Sequence, residues 1–147
     1  PIVFGHYKQP GATKTILVYG HYDVMPVEPL ELWESQPFEP EIRDGRIYAR
    51  GANDDKGQIM IQLKGFETAK ALGLVGVNVK FIFEGEEEIG SGSLSPFCRK
   101  HKDLLAADVI LVSDTTMLSE ETPSITAGLR GLAYWQVEVT GAYRGRH

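Results

Sequence analysis

The stretch "GHYDV", residues 20–24, sets an imidazole and a carboxylate two residues apart, directly after a run of strand-forming residues, "TILVY". Three acidic motifs lie downstream: "RGANDDKG" (50–57), "EGEEEIGSGS" (84–93) and "SDTT" (113–116). Taken singly, each has a plain reading. His21 and Asp23 can close a loop as a local hydrogen-bonded pair. Asp54 and Asp55 can serve as negative charges at the start of a helix. Glu86, Glu87 and Glu88 can form a solvated turn, and Asp114 can cap a loop. Taken together, carboxylates gathered at one edge repel one another, and cations are needed to neutralise them. Imidazole plus hard oxygen donors, with no thiolate, suits Zn²⁺, Mn²⁺ or Co²⁺. One ion takes three or four protein ligands; His21, Asp54, Glu88 and Asp114 supply them, with a spare carboxylate beside Glu88. Two ions about 3.5–4 Å apart, joined by a carboxylate and a water, would use that supply and activate the water as a nucleophile. A neighbouring carboxylate that is not a ligand then accepts the proton. Glu87 and Glu88, adjacent in the chain, can divide those two roles.

Elements must carry these residues to one place. Residues 14–19, "KTILVY", read as a strand buried on both faces. "EIRDGRIYAR" places Asp44-Gly45 between two short strand candidates, a hairpin signal within the Pro- and Glu-rich stretch 26–50. Residues 53–72 read as a helix, with Asn53 as its cap, Asp54 and Asp55 at its positive start, Ile59, Leu63 and Phe66 on one face and Gly73 as its stop. "VNVKFIF" (77–83) alternates as a strand, a shorter helix is expected over 94–105, and "DVILV" (108–112) is a further buried strand. Strand alternating with helix predicts an α/β domain with a largely parallel sheet, and such sheets bind ligands at the carboxyl ends of their strands. All four acidic or imidazole motifs follow a strand or open a helix at that edge. Beyond "SITAGLRG" the texture changes, and "LAYWQVEVT" (132–140) alternates like a strand with one wet face. The stretch 128–131 therefore reads as a domain crossing: 1–130 belong to one domain and 131–147 open another.

The composition sets limits. In 147 residues, 42% are hydrophobic and 24% charged, which is ordinary for a globular chain of about one domain. A formal net charge of −5 and the lack of any basic run argue against nucleic acid and anionic membrane as partners. No apolar run approaches the roughly 20 residues that span a bilayer. The single cysteine, Cys98, excludes an intramolecular disulfide and a thiolate zinc site, and reads as a small buried apolar side chain. A serine hydrolase is disfavoured by the lack of G-x-S-x-G, and a phosphate loop of the GxxxxGK[ST] kind is missing. His6 and His101 stand outside any motif and read as surface residues. The chain begins at Pro1 and stops at His147, and is expected to be a piece of a longer protein.

"GHYDVMP", "YARGANDDKG", "FEGEEEIGS" and "VSDTT" resemble, in order and spacing, the signatures of the co-catalytic zinc aminoacylase/carboxypeptidase family. That family includes carnosinase, cytosolic non-specific dipeptidase, acetylornithine deacetylase, succinyl-diaminopimelate desuccinylase and carboxypeptidase G. The resemblance covers roughly residues 15–147; "PFEPEIRDGRIYARGANDDKG" and "ITAGLRG" look nearest to the dipeptidase/carnosinase branch. It implies a zinc-exopeptidase-like three-layer domain with a mostly parallel, mixed sheet, of which this is the N-terminal portion. It also implies the first strand of an α+β lid and dimerisation domain.

For the site, the resemblance implies that His21 and Asp114 bind one metal, Glu88 the other, and Asp54 both. The Asp54-Asp55 peptide is often cis in the family. Asp23 would orient the His21 ring, and Glu87 would be the general base. Three consecutive glutamates permit a slip; Glu87-Glu88 lies at the family's distance from Gly90-Ser91, and Glu86-Glu87 is the alternative. His147 would be the lid histidine that reaches the partner subunit's active site to bind the carbonyl oxygen or oxyanion. The implied activity is amide hydrolysis of dipeptides using two Zn²⁺ ions, with Mn²⁺ or Co²⁺ as substitutes, by a homodimeric cytoplasmic enzyme. The alternatives are an N-acyl-amino-acid deacylase and a non-catalytic homologue that kept the fold. The family's further histidine ligand for the second metal has no counterpart in these residues, so the 147-residue piece alone is expected to bind metal weakly and to be inactive.

Overall fold

The computed structural model describes residues 1–141, in which Pro1–Thr115 and the residues from Thr116 onward form two separate units. The first unit is built on a four-stranded mixed sheet. Its strands are β1 (Ile2–Tyr7), β2 (Thr15–His21), β5 (Asn78–Glu84) and β6 (Val109–Val112), in the order β1-β5-β2-β6. β2 lies parallel to both β5 and β6, whereas β1 runs antiparallel to β5. Between β2 and the long helix α1 (Lys56–Ala71) the chain makes an excursion that contains the hairpin β3 (Glu41–Arg43) and β4 (Arg46–Tyr48). Asp44 and Gly45 turn the hairpin with φ of 50° and 76°, a conformation that aspartate tolerates and glycine adopts freely.

Alternation along β2 and β5 sorts their side chains onto two faces. Val18, Val79 and Phe81 form the core on one face, packed by Ile16, Phe83 and, from α1, Leu63 and Phe66. An aromatic series runs through it: Tyr7 to Phe66 at 5.2 Å, Phe66 to Phe81 at 5.5 Å and Phe81 to Phe83 at 5.9 Å between ring centroids. α1 crosses β2 closely at Gly20, where a Cβ would lie 2.6 Å from Ile59 and 2.8 Å from Asp55. The opposite face presents Leu17, Tyr19 and Ile82 toward α2 (Leu94–Lys100) and α3 (Lys102–Leu105), with Cys98 half-buried among them. Helices on both faces of a mixed sheet give the expected three layers.

Several boundaries differ from the sequence reading. β1 has no counterpart in it. α1 begins at Lys56, not residue 53, and its cap position is Asp55, which makes no side-chain capping bond. The expected helix over 94–105 is broken at His101, whose ring packs on Phe97 at 4.5 Å and is half-buried, not on the open surface. In the second unit, the described residues 116–141 form no helix or strand beyond an isolated bridge between Ser119 and Thr122. The alternating stretch 132–140 has no partner to complete a ladder there, and an unpaired strand leaves its backbone groups to water. His147 lies outside the described residues. Among those residues, no helix is long and apolar enough to cross a membrane.

Candidate metal centre

The carboxyl end of β2 delivers His21 into the interior, where its side chain is fully buried. Its backbone N–H donates to Asp55 Oδ2 at 3.0 Å. This explains the missing helix cap: the Asp55 carboxylate is turned toward the strand end. On the ring, Nδ1 lies 3.2 Å from the Asp23 carbonyl oxygen and 3.3 Å from Asp23 Oδ1. Nε2 faces Asp54 Oδ1 at 3.0 Å, Asp114 Oδ2 at 3.4 Å and Glu87 Oε2 at 3.9 Å. Four separate segments thus meet at one imidazole: the end of β2, the cis Asp54-Asp55 peptide just before α1, the turn after β5, and the residue pair after β6.

The long excursion before α1 is anchored so that Asp54 returns to this edge. Trp33 Nε1 donates to the Val27 carbonyl at 2.8 Å, Arg50 Nη2 to the Pro26 carbonyl at 3.0 Å, and the Arg50 guanidinium stacks over the Trp33 ring. The turn after β5 is a single 3-10 turn, Glu87–Ile89. Asp23 accepts from both of its leading amides, Glu87 N at 3.2 Å and Glu88 N at 3.0 Å. Asp23 therefore meets the His21 ring with its carbonyl and carboxylate and mounts the acidic turn with the carboxylate.

The electrostatics are those of a site prepared for positive charge. Burial alone would depress the His21 pKa, but the charges of Asp114, Asp55 and Glu87 outweigh it and raise the pKa above 6.5. Burial, then repulsion from Asp114, Glu88 and Asp23, holds the Glu87 carboxyl above its ordinary value despite the opposing pull of His21. Asp55 is raised mainly by its own burial. His21 Nε2 is buried with no hydrogen-bond partner, although three carboxylates surround it. An orphaned buried nitrogen aimed at acidic oxygens is what a cation ligand leaves behind.

The fit to a divalent ion is direct for part of the expected set. His21, Asp54 and Asp114 each offer a donor atom, all lying within 4.8 Å of one another. Glu88 does not join that group among the described residues; it reaches the centre through its backbone bond to Asp23, and the carboxylate of Glu87 lies nearer the ring. Two buried acids escaped the sequence reading in their structural roles. The sequence reads Asp55 as a helix-start charge, whereas its carboxylate accepts from the His21 amide. Glu84, fully buried at the end of β5, belongs to no pattern the sequence offers beyond the alternation that puts it on the same face as Ile82.

Residues 17–146 match the sequence profile of peptidase family M20/M25/M40. The chain is 38% identical to the Cys-Gly metallodipeptidase dug1 of Schizosaccharomyces pombe, over 100% of this chain and 32% of that protein. It is 37% identical to the Beta-Ala-His dipeptidase of Rattus norvegicus, over 95% of this chain and 29% of that protein. The crystal structure of the M20 family metallo-carboxypeptidase Sso-CP2 from Sulfolobus solfataricus superposes with a TM-score of 0.77 at 39% identity, covering 83% of this chain and 28% of that one. The chain thus spans about a third of the length of the curated relatives it matches. With its four acidic motifs at one sheet edge and the profile matched almost throughout, the chain belongs to peptidase family M20/M25/M40.

Proposed function

We propose that this chain carries the N-terminal part of the active centre of a metal-dependent dipeptidase. The observation that carries this reading is His21 Nε2, buried, unpartnered and faced by Asp54, Asp114 and Glu87. The names of the relatives, Cys-Gly and Beta-Ala-His dipeptidases, favour a dipeptide over an N-acyl amino acid. His21, Asp54 and Asp114 would hold one divalent cation, with Asp54 and Glu88 contributing to a second; Zn²⁺ is the preferred ion and Mn²⁺ or Co²⁺ its substitutes. Cations held there would lower the pKa of water and polarise the scissile carbonyl.

The chain's own residues do the rest. Asp23 fixes the His21 ring so that Nε2 presents its lone pair. Glu87, whose carboxyl is raised above its ordinary value by burial and by its acidic neighbours, takes the proton of the attacking water and returns it to the leaving amine. In the full-length protein, residues 1–130 would belong to the catalytic domain and 131–147 would open a lid and dimerisation domain. His147 would there act in the partner subunit's site of a homodimer, and the protein would work in the cytoplasm.

The test is chelation of the full-length protein, followed by assay on Cys-Gly, β-Ala-His and N-acetyl amino acids with Zn²⁺, Mn²⁺ or Co²⁺ restored. Dipeptide hydrolysis lost on chelation and recovered with metal supports the reading. Faster cleavage of N-acetyl amino acids makes the protein a deacylase, and indifference to chelation ends the proposal.

A further inference from the structure

We infer that Glu84 is a positioning residue: with Tyr19 and Ser91 it forms a buried tether that holds the far end of the turn carrying Glu87 and Glu88. This inference rests on the function proposed above and concerns a residue outside the metal group. Glu84 is 1% exposed, and its partners among the described residues are two hydroxyls, both donating to Oε1: Tyr19 Oη at 2.6 Å and Ser91 Oγ at 2.8 Å. A buried carboxylate is costly to keep, and an apolar side chain would fill the same space without that cost. What the carboxylate adds is direction.

The direction is toward the turn. Glu84 stands opposite His21 in the β2–β5 register, and its carbonyl accepts from Tyr22 N at 2.9 Å, so its backbone is fixed to the strand that delivers the imidazole. Tyr19, two residues before His21 and on the same face, grips the carboxylate from the sheet. Ser91 grips it from the turn. Ser91 sits at φ 53°, in the left-handed region a serine does not hold by preference, and its N–H closes the turn onto the Glu86 carbonyl at 2.7 Å. The leading end of the turn is already pinned by Asp23 through the amides of Glu87 and Glu88. Two buried or half-buried carboxylates therefore mount the turn from opposite ends, and the Glu87 side chain is aimed at His21 between them.

The test uses the full-length protein with Ser91→Ala, Glu84→Gln and Glu84→Ala. Amide hydrogen exchange is followed on the metal-free protein. Ser91→Ala is expected to speed exchange across residues 86–91 by about tenfold while the sheet amides keep their protection. In the metal-loaded enzyme kcat is expected to fall roughly 10–100-fold, with KM and metal content unchanged. Glu84→Gln, which keeps an acceptor oxygen in place, should retain most turnover, whereas Glu84→Ala should behave as Ser91→Ala does. Unchanged exchange at 86–91 in Ser91→Ala, or a rise spread evenly over the whole sheet, overturns the tether. Faster exchange with unchanged kcat overturns its positioning role. A wild-type protein that hydrolyses no dipeptide with any metal removes the functional reading instead, and the exchange experiment still decides whether the tether exists.

Discussion

Two strands of this sheet are written in nearly the same letters, "TILVY" in β2 and "DVILV" around β6, yet they live in different surroundings. β2 is central, flanked by β5 and β6, with α1 on one face and α2 and α3 on the other; Leu17 and Val18 are 6% and 5% exposed. Among the described residues β6 stands at the edge of the sheet, and its four residues are 39–64% exposed. The same contrast appears in what they deliver. His21, the last residue of β2, is fixed by bonds at its amide and at Nδ1, whereas Asp114, after β6, is 29% exposed at its side chain. Within the described residues, position in the sheet therefore decides how much of the burial suited to each apolar strand is realised. The candidate centre joins a rigid half, on β2 and β5, to a lightly supported one.

The largest effect that would sharpen this contrast belongs to the rigid half. Glu87→Gln in the full-length enzyme is expected to cut kcat by about 10²–10⁴-fold, as loss of a general base does, with metal content retained. A variant that lost metal in proportion would make Glu87 a ligand. Next comes stability. Leu17→Ala should cost about 2–5 kcal/mol in urea unfolding, while Leu111→Ala on β6 should cost about 0.5 kcal/mol or less in the 147-residue chain. Equal costs would erase the distinction between central and edge strand. Smaller still is the pH dependence of the metal-free protein. The folded pKa values of His21, Asp55 and Glu87 are all raised, from ordinary values of 6.5, 3.8 and 4.5. A raised pKa contributes stability below the unfolded value and loses it as pH climbs through the folded one. All three act in the same sense, so the stability contributed by this cluster, read as the difference in Tm between wild type and His21→Ala, should decline as pH rises from about 4 past 6.5. Divalent metal at about 100 times its Kd should reverse that decline with about 2.7 kcal/mol. A difference between wild type and His21→Ala that grows with pH in the metal-free protein would contradict the clustering of these acids around His21.

Much of this was legible in the residues. β2, β5, β6, the Asp44-Gly45 hairpin and α1 follow from periodicity and turn chemistry, because each satisfies its local rule. Asp54, Asp114 and His21 could be placed together because motifs at strand ends of an α/β sheet share an edge. What escaped depended on partners distant in the chain. β1 exists through pairing with β5, about 75 residues on, and its Gly5 and His6 weaken any local strand signal. Asp55 looks like a helix-start charge until β2 supplies the His21 amide. Glu84 looks like the polar end of a strand until Tyr19 and Ser91 close over it. The break at His101 comes with its ring packing on Phe97, which a continuous helical pattern does not anticipate.

The central claim is that the cluster around His21 exists to hold a divalent cation. Cobalt substitution of the full-length protein reads this directly, since the visible absorption of Co²⁺ reports its ligands. A Co²⁺ spectrum that saturates at a fixed stoichiometry in the wild type, and is lost or weakened by at least about 100-fold in affinity in both His21→Ala and Asp54→Asn, is the predicted result. The same spectrum and affinity in either variant would contradict it.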